Sequence, residues 1–399
     1  MLDYKTAGES HGKGLVVITE GIPAGVEIDP ERVNQKLVRR QGGYGRGGRM
    51  KIESDKVEVI SGIRDGKSIG SPIALLIYNN DWENWKEIMS AFPDEIGDEE
   101  QISIKKDDKI KQIFKKVTRP RPGHADLAGV IKYNLNDIRN ILERASARET
   151  AARTAMGGLM DNFLDYFNID IVSHVIQIGK IKTQSPEIKF EKLKEEVFNS
   201  PLHCFDKNKE KEMISYIDQV KKEGDSLGGI IEIRTTPLPV GLGDHVEWKS
   251  KLDGKIAKAM MSIPAIKGVE IGPAFSNSTR KGSEVHDEIF YDEEKGYYRE
   301  TNNAGGLEGG ITNGQPLVIR IAMKPIPTLY KPLRSVDIET KKAFQASVER
   351  SDVTAVPAAG VVGESMLSFV ISQALLEKFG GDNIKEVLRN YKNYRDTYL

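Results

Sequence analysis

The chain has 399 residues, 39% of them hydrophobic, and 58 basic against 59 acidic side chains give a net charge of −1. There is enough apolar content for a substantial core, and no global field to draw nucleic acid or an anionic membrane. The one cysteine, Cys204, excludes an intrachain disulfide framework, runs such as IALLIY (73–78) are far too short to span a membrane, and the first residues lack a signal peptide's charged start and apolar core, so a soluble, cytoplasmic protein is expected.

The first motif is GESHG (8–12), which matches the G-x-S-x-G nucleophile elbow of serine hydrolases. An elbow needs several strands built before its serine and a helix after it. Only seven residues precede this one, and GLVVITE (14–20), a β-branched strand-like run, comes next. A hydrolase using Ser10 is therefore a weak alternative to a plain glycine turn. IDPERVNQKLVRRQGG (28–43) predicts a helix with Asp29 as N-cap, Pro30 in first position, Ile28, Val33 and Leu37 on one face, and a stop at Gly42 and Gly43. Arg32, Lys36, Arg39, Arg40, Arg46, Arg49 and Lys51 succeed one another with no acidic residue between them. RRQGGYGRGGR (39–49) mounts its arginines on glycines, and three readings compete: an RGG-like RNA-binding element, a solvated loop, or a site for phosphate or carboxylate, both suited to bidentate guanidinium.

Residues 79–116 read as a long polar excursion from the sheet, of the kind that forms lids and binding loops. TRPRPGHAD (118–126) holds Arg119, Arg121 and His124 on a proline-stiffened segment before a helix start at Asp126; histidine, titrating near neutrality, suits a proton donor beside a charged ligand. ERASARETAAR (143–153) opens a helix expected to reach Phe167, with Ser146 and Glu149 in capping-box spacing. Arg148 in its first turn opposes the helix dipole, so an anion is expected beside it. Residues 181–224 are rich in Lys and Glu, and further helices are expected near 247–262, 335–349 and 364–378, the last closed by Gly380 and Gly381. The glycine-rich NNAGGLEGGITNG (302–314) can let a flat or phosphorylated cofactor lie against bare backbone. Arg350 and Asp352 end the helix expected at 335–349, from where both can point into a cleft. Residues 14–25, 228–241 and 314–328 share one form, a glycine, a strand-like run and a proline exit, and 12–23 can be laid over 314–325, which suggests an internal duplication. Strands mixed with long helices, and no G-x-G-x-x-G after a strand, point to an α+β fold.

GESHG (8–12), ERASARETAARTAMGGLM (143–160) and RSDVTAVPAAGVVGESML (350–367) resemble, in order, the three signature regions of the chorismate synthase family. The resemblance also takes in RRQGGYGRGGR, RPRPGHAD (119–126), IPAIKGVEIG (263–272) and NNAGGLEGGITNG, and so covers nearly the whole of residues 1–399 as a single domain, leaving 79–116 and 181–224 unexplained. It implies a carbon–oxygen lyase that converts 5-enolpyruvylshikimate 3-phosphate to chorismate by anti 1,4-elimination of phosphate and a ring hydrogen, the last step of the shikimate pathway toward aromatic amino acids. It also implies reduced FMN, which lends electron density as phosphate leaves, and NADPH as a candidate reductant. Carried over by motif, His11 acts as acid toward the leaving phosphate, His124 protonates or balances the reduced flavin, and Asp352 helps relay the ring proton by way of the flavin. Ser10, Arg40, Arg46, Arg49, Arg121 and Arg148 hold the substrate, with Arg40 and Arg46 also candidates for the pyridine nucleotide. FMN falls to Arg144, Ala145, Ser146, Pro264, Ala265, Gly309, Lys324, Pro325, Ile326, Pro327, Thr328 and Arg350. The family often has a polar residue where Pro264 stands, so this position offers only a carbonyl and ring contacts. The implied fold is a layered β-α-β sandwich, helices between two antiparallel sheets with an internal duplication, assembled as a homotetramer, with no metal, nucleic-acid or membrane partner.

Overall fold

The strand-like run after GESHG forms the second strand of a four-stranded antiparallel sheet: β1 (Asp3–Ala7), β2 (Gly14–Glu20), β3 (Glu58–Ser61) and β4 (Ile73–Tyr78), in the order β1-β2-β4-β3. The computed structural model describes residues 1–47, 54–92, 116–294, 296–346 and 352–397; Arg49, Arg350 and positions 93–115 of the polar excursion lie outside the described residues. Alternation decides which face is covered: Leu15 and Val17 of β2 and Ile73, Leu75 and Ile77 of β4 are buried. A second antiparallel sheet contains β5 (Ile171–Ile178), β6 (Ile181–Lys182), β7 (Gly229–Pro237), β8 (Ile266–Ile271) and β9 (Pro316–Met323), in the order β8-β9-β7-β5-β6. Its covered face carries Ile231, Ile233, Leu317, Ile319 and Ile321. β2 and β9, which contain the two stretches that can be overlaid in sequence, are each interior strands paired on both sides.

The helices are α1 (Pro30–Gln41), α2 (Asp126–Tyr133), α3 (Arg139–Ala145), α4 (Thr150–Leu164), α5 (Phe190–Phe198), α6 (Lys207–Glu223), α7 (Leu252–Met261), α8 (Val356–Phe379) and α9 (Ile384–Arg395). α4 lies against β2 and β4, α8 lies against β5 and β7, and the two helices pack on each other and on α1. Gly157 and Gly158 permit that approach: a Cβ at Gly157 would stand 2.3 Å from Ser365 Cβ, and one at Gly158 would stand 2.9 Å from Val33 Cα. One contiguous core runs from Leu2 to Val387 through both sheets and all three helices. α8 is long and apolar enough to cross a membrane, but 89% of its most apolar window is buried inside the protein, as befits a central core helix.

α1 obeys its sequence signals, with Asp29 accepting from the Glu31 N–H, Pro30 in first position and Gly42 as C-cap. Four expectations are corrected. Ser146 does cap, accepting from the Arg148 N–H, but it caps a 3-10 turn, Ala147–Glu149, and the α-helix begins only at Thr150. Glu149 does not close a capping box, because its carboxylate accepts from Thr6 Oγ1 at 2.7 Å and from Arg153 Nε at 2.9 Å. The helix expected at 335–349 is instead a hairpin pairing Arg334–Val336 with Ala343–Gln345; the Asp337 carboxylate accepts from the Glu339 and Thr340 N–H groups, which starts a turn, and 347–349 lie outside the described residues. Among the described residues Asp352 follows no helix at 335–346; it precedes α8, which begins eight residues before the expected 364, with Pro357 tolerated in its first turn.

Candidate active site

The GESHG turn joins β1 to β2, not a strand to a helix, so the elbow geometry is absent. Gly8 has φ of 105°, and a Cβ there would stand 2.2 Å from the Gly14 carbonyl oxygen, so only glycine fits. The turn is fixed from two sides. Asn79 donates to the carbonyls of Gly12 at 2.7 Å and Glu9 at 3.2 Å, while the Ser10 N–H donates to the Glu143 carbonyl at 3.0 Å. Ser10 Oγ donates to Ser146 Oγ at 3.1 Å. The Glu143 carboxylate accepts from the His11 N–H at 2.8 Å and lies 2.9 and 3.0 Å from His11 Nδ1. The His11 ring stacks on Trp85 at 3.9 Å between centroids.

Beneath this turn two arginines share one carboxylate. Asp55 accepts from Arg40 at 2.7 Å and from Arg148 at 2.5 Å, and Arg148 Nε donates to Asn79 Oδ1 at 2.9 Å. All three charged groups are buried. Burial lowers the Arg40 guanidinium to about 10, with Arg148 and Arg46 adding repulsion against the pull of Asp55, and it stays charged at neutral pH. Its Nε is buried with no hydrogen-bond partner among the described residues. The anion expected beside Arg148 is thus Asp55. The acid-free run 32–51 is not one continuous anion site either, because the turn of α1 fans its charges outward: Arg32 pairs with Asp165, Lys36 with Asp161 and Arg39 with the fully buried Glu364. Of the described members, Arg40 and Arg46 remain near the site.

Arg46 pairs with Asp352 at 2.8 Å, and the other Asp352 oxygen accepts from the Gly47 N–H at 2.5 Å. Burial holds the Arg46 guanidinium below its ordinary value although Asp352 pulls the other way. Arg46, Asp352 and Thr328 line a cavity of about 470 Å³ together with Tyr44 and Lys221. Thr328 also accepts from Arg121 at 3.4 Å, which ties this cavity to the RPRPGHAD segment. There the Asp126 carboxylate sits 2.5 Å from His124 Nδ1 and 2.9 Å from Arg121 Nε. Burial alone would raise Asp126, but hydrogen bonds from His124 and Arg121 outweigh it and hold the carboxyl well below the usual range. Arg119 turns away, its guanidinium over the Phe344 ring.

Lys324 donates to the Gly123 carbonyl, and its own N–H donates to the carbonyl of Ala265, which has φ of 67°. The segment Lys324, Pro325, Ile326, Pro327 and Thr328 is thereby held between the 121–124 turn and the turn of Pro264 and Ala265, and Ser226 Oγ fixes the Ile326 carbonyl at 2.7 Å. Arg153 donates to Ser262 Oγ at 2.8 Å and links that turn to α4. Arg144, next to Ala145 and Ser146, donates to the Gly8 and Thr6 carbonyls at 3.0 and 2.9 Å. Contacts therefore connect the described site residues, with one exception. Gly309 lies in the Leu307–Thr312 hairpin, whose neighbouring Gly310 carbonyl caps the start of α7, whereas Pro264 comes after the end of that helix. Ten helical residues, roughly 15 Å, separate them.

Sequence reasoning missed the groups that hold the motif residues: Asp55, Asn79, Trp85 and Arg139, with Glu143 quoted in a motif and Asp126 read only as a helix start. The signal that could have found Glu143 and Asp126 is an acidic residue inside a basic motif.

The family model described as chorismate synthase matches residues 2–376. Chorismate synthase of Geobacter metallireducens is 54% identical over 403 residues, 99% of each chain, and that of Aquifex aeolicus is 55% identical over 401 residues, 98% of this chain and 97% of its own. A solved structure, "Crystal Structure of Chorismate Synthase", is 43% identical with a TM-score of 0.77, covering 100% of this chain and 98% of that one. The chain belongs to the chorismate synthase family.

Proposed function

We propose that the protein carries out its family's reaction, the anti 1,4-elimination of phosphate and a ring hydrogen from 5-enolpyruvylshikimate 3-phosphate to give chorismate, as a carbon–oxygen lyase of the shikimate pathway. The observation that carries this reading is the pair Arg40 and Arg148 buried on the single carboxylate of Asp55. Guanidinium groups placed together suit an anionic ligand, and a substrate with one phosphate and two carboxylates offers that charge. Arg46, Arg49 and Arg121 complete the substrate's counter-charges and Ser10 gives it a hydroxyl. His11, whose Nδ1 faces Glu143, presents Nε2 to the leaving phosphate; His124, whose Nδ1 faces Asp126, would protonate or balance the charge of the reduced flavin. Asp352 stands on Arg46 as the candidate for moving the ring proton.

Reduced FMN is the proposed cofactor, and when bound it supplies electron density as phosphate departs. The donor set suits it: Lys324, Arg144 and Arg350 bring positive charge for a phosphate, Ser146 and Thr328 bring hydroxyls, and Ala145, Ala265, Pro325, Ile326 and Pro327 bring small or apolar surface, while Pro264 gives a carbonyl and ring edge. Gly309 joins this set only if its hairpin is brought to it. NADPH is the candidate reductant, with Arg40 and Arg46 as its contacts. We further read the molecule as one domain over 1–399, with helices layered between two sheets that arose by internal duplication, working as a homotetramer in the cytoplasm. The main core shared by both sheets supports the layering, and interior strands β2 and β9 in matching positions support the duplication.

The reading is tested by supplying reduced FMN and substrate anaerobically and following chorismate absorbance. His11→Ala and His124→Ala should each lower turnover by roughly 10² or more if the two imidazoles act as acid–base groups; near-normal rates in both variants would remove these roles.

A further inference from the structure

His11 is gripped by two residues from separate parts of the chain, and both grips are on its ring. Glu143, 2% exposed on α3, contacts the ring through Nδ1 at 2.9 Å and the main chain through the His11 N–H at 2.8 Å, so one carboxylate fixes the turn and the imidazole plane together. Because Nδ1 faces a carboxylate, that nitrogen carries the proton shared with Glu143, and Nε2 faces the ligand, to which it can give a proton when the ring holds a second one. Trp85 covers one ring face at 3.9 Å with 26° between planes, and the Arg139 guanidinium, 5.4 Å from the Trp85 ring centroid and 4.0 Å from Glu143, closes the set. Trp85 is itself held, its Nε1–H donating to Asp81 at 2.9 Å. Its neighbour Asn79 binds both the GESHG turn and Arg148. The start of the polar excursion is therefore fastened to the site at two points.

We propose that Glu143 and Trp85 are positioning residues for His11: Glu143 sets which ring nitrogen faces the substrate, and Trp85, at the base of the 79–116 excursion, walls the imidazole on one side so that its aim is fixed before substrate arrives. The inference rests on the chorismate synthase reading for its kinetic consequence, and on the ring geometry alone for its tautomer. Preorganised aim acts on the chemical step and leaves substrate binding to the arginines.

The test pairs kinetics with nitrogen NMR of the ¹⁵N-histidine-labelled protein. Glu143→Ala is expected to lower kcat by about 10²-fold while KM for 5-enolpyruvylshikimate 3-phosphate stays within about threefold, and Glu143→Gln, which keeps an acceptor for the Nδ1 proton, should recover part of the loss. Trp85→Ala should lower kcat by about tenfold and Trp85→Phe should restore most of it. In the wild-type protein without substrate, the His11 signals are expected to place the proton on Nδ1, and in Glu143→Ala to lose that signature. A wild-type enzyme that turns over, with Glu143→Ala and Trp85→Ala both within threefold of its kcat, would overturn the proposal, as would His11 signals unchanged in Glu143→Ala. Should the wild-type protein give no chorismate, the functional reading fails while the NMR result still decides the tautomer.

Discussion

The charges that matter here act in small sets, and their energetics come from sharing. Asp55 holds Arg40 and Arg148 at once, all three buried, so Asp55→Asn removes a counter-ion that two guanidiniums share. Breaking a buried ion pair costs about 3–5 kcal/mol; the variant should unfold at lower urea than wild type. His203 gives a second prediction. Burial, with Arg39 adding repulsion, lowers its imidazole to about 4 from an ordinary 6.5. The unfolded chain binds that proton more readily, so the contribution is full above about pH 6.5 and is lost as pH falls toward 4, a difference of about 3 kcal/mol. His203→Asn, compatible with the φ of 55° at that position, should flatten this acid-side loss in melts taken between pH 7 and 4. The motif residues were legible because short patterns carry them, Ser10 and His11 in GESHG, His124 in RPGHAD. Their partners were not: Asp55 meets Arg148 across 93 positions and Glu143 meets His11 across 132, and no local pattern encodes such pairings.

At the scale of elements, the signals that held were those acting within one turn. Asp29, Pro30 and Gly42 bound α1 as read, since capping depends on neighbours. Where a nearby residue was drawn to a distant partner, the reading failed: Glu149 had the spacing of a capping box but serves Thr6 and Arg153. The stretch at 335–349 carried helix formers, yet Asp337 turns it into a hairpin. The first turns of α8 were hidden because VPAAGVV contains a proline and a glycine, although Pro357 is harmless where no N–H is needed and Gly360 packs against Ser173. The packing of α4 on α8 yields a direct prediction. Gly157→Ala forces a methyl into space 2.3 Å from Ser365 Cβ, an overpacking expected to cost about 1–3 kcal/mol in urea unfolding.

Across the whole molecule, a net charge of −1 coexists with a site built on arginines, and each cluster holds a carboxylate of its own: Asp55, Asp352 and Asp126. The α+β class was readable from strands mixed with helices, and the order of the three signature motifs pointed to the family; the way these motifs converge was not readable. GESHG, the α3 to α4 junction, the 121–124 turn and the 324–328 segment are linked by contacts between positions far apart in the sequence. The most direct measurement is chorismate formation by the purified wild-type protein given reduced FMN and 5-enolpyruvylshikimate 3-phosphate under anaerobic conditions. Chorismate and inorganic phosphate should be released in equal amounts over many turnovers, with flavin reduced at the end as at the start. Folded protein that binds substrate and flavin yet releases no chorismate would contradict the assigned reaction.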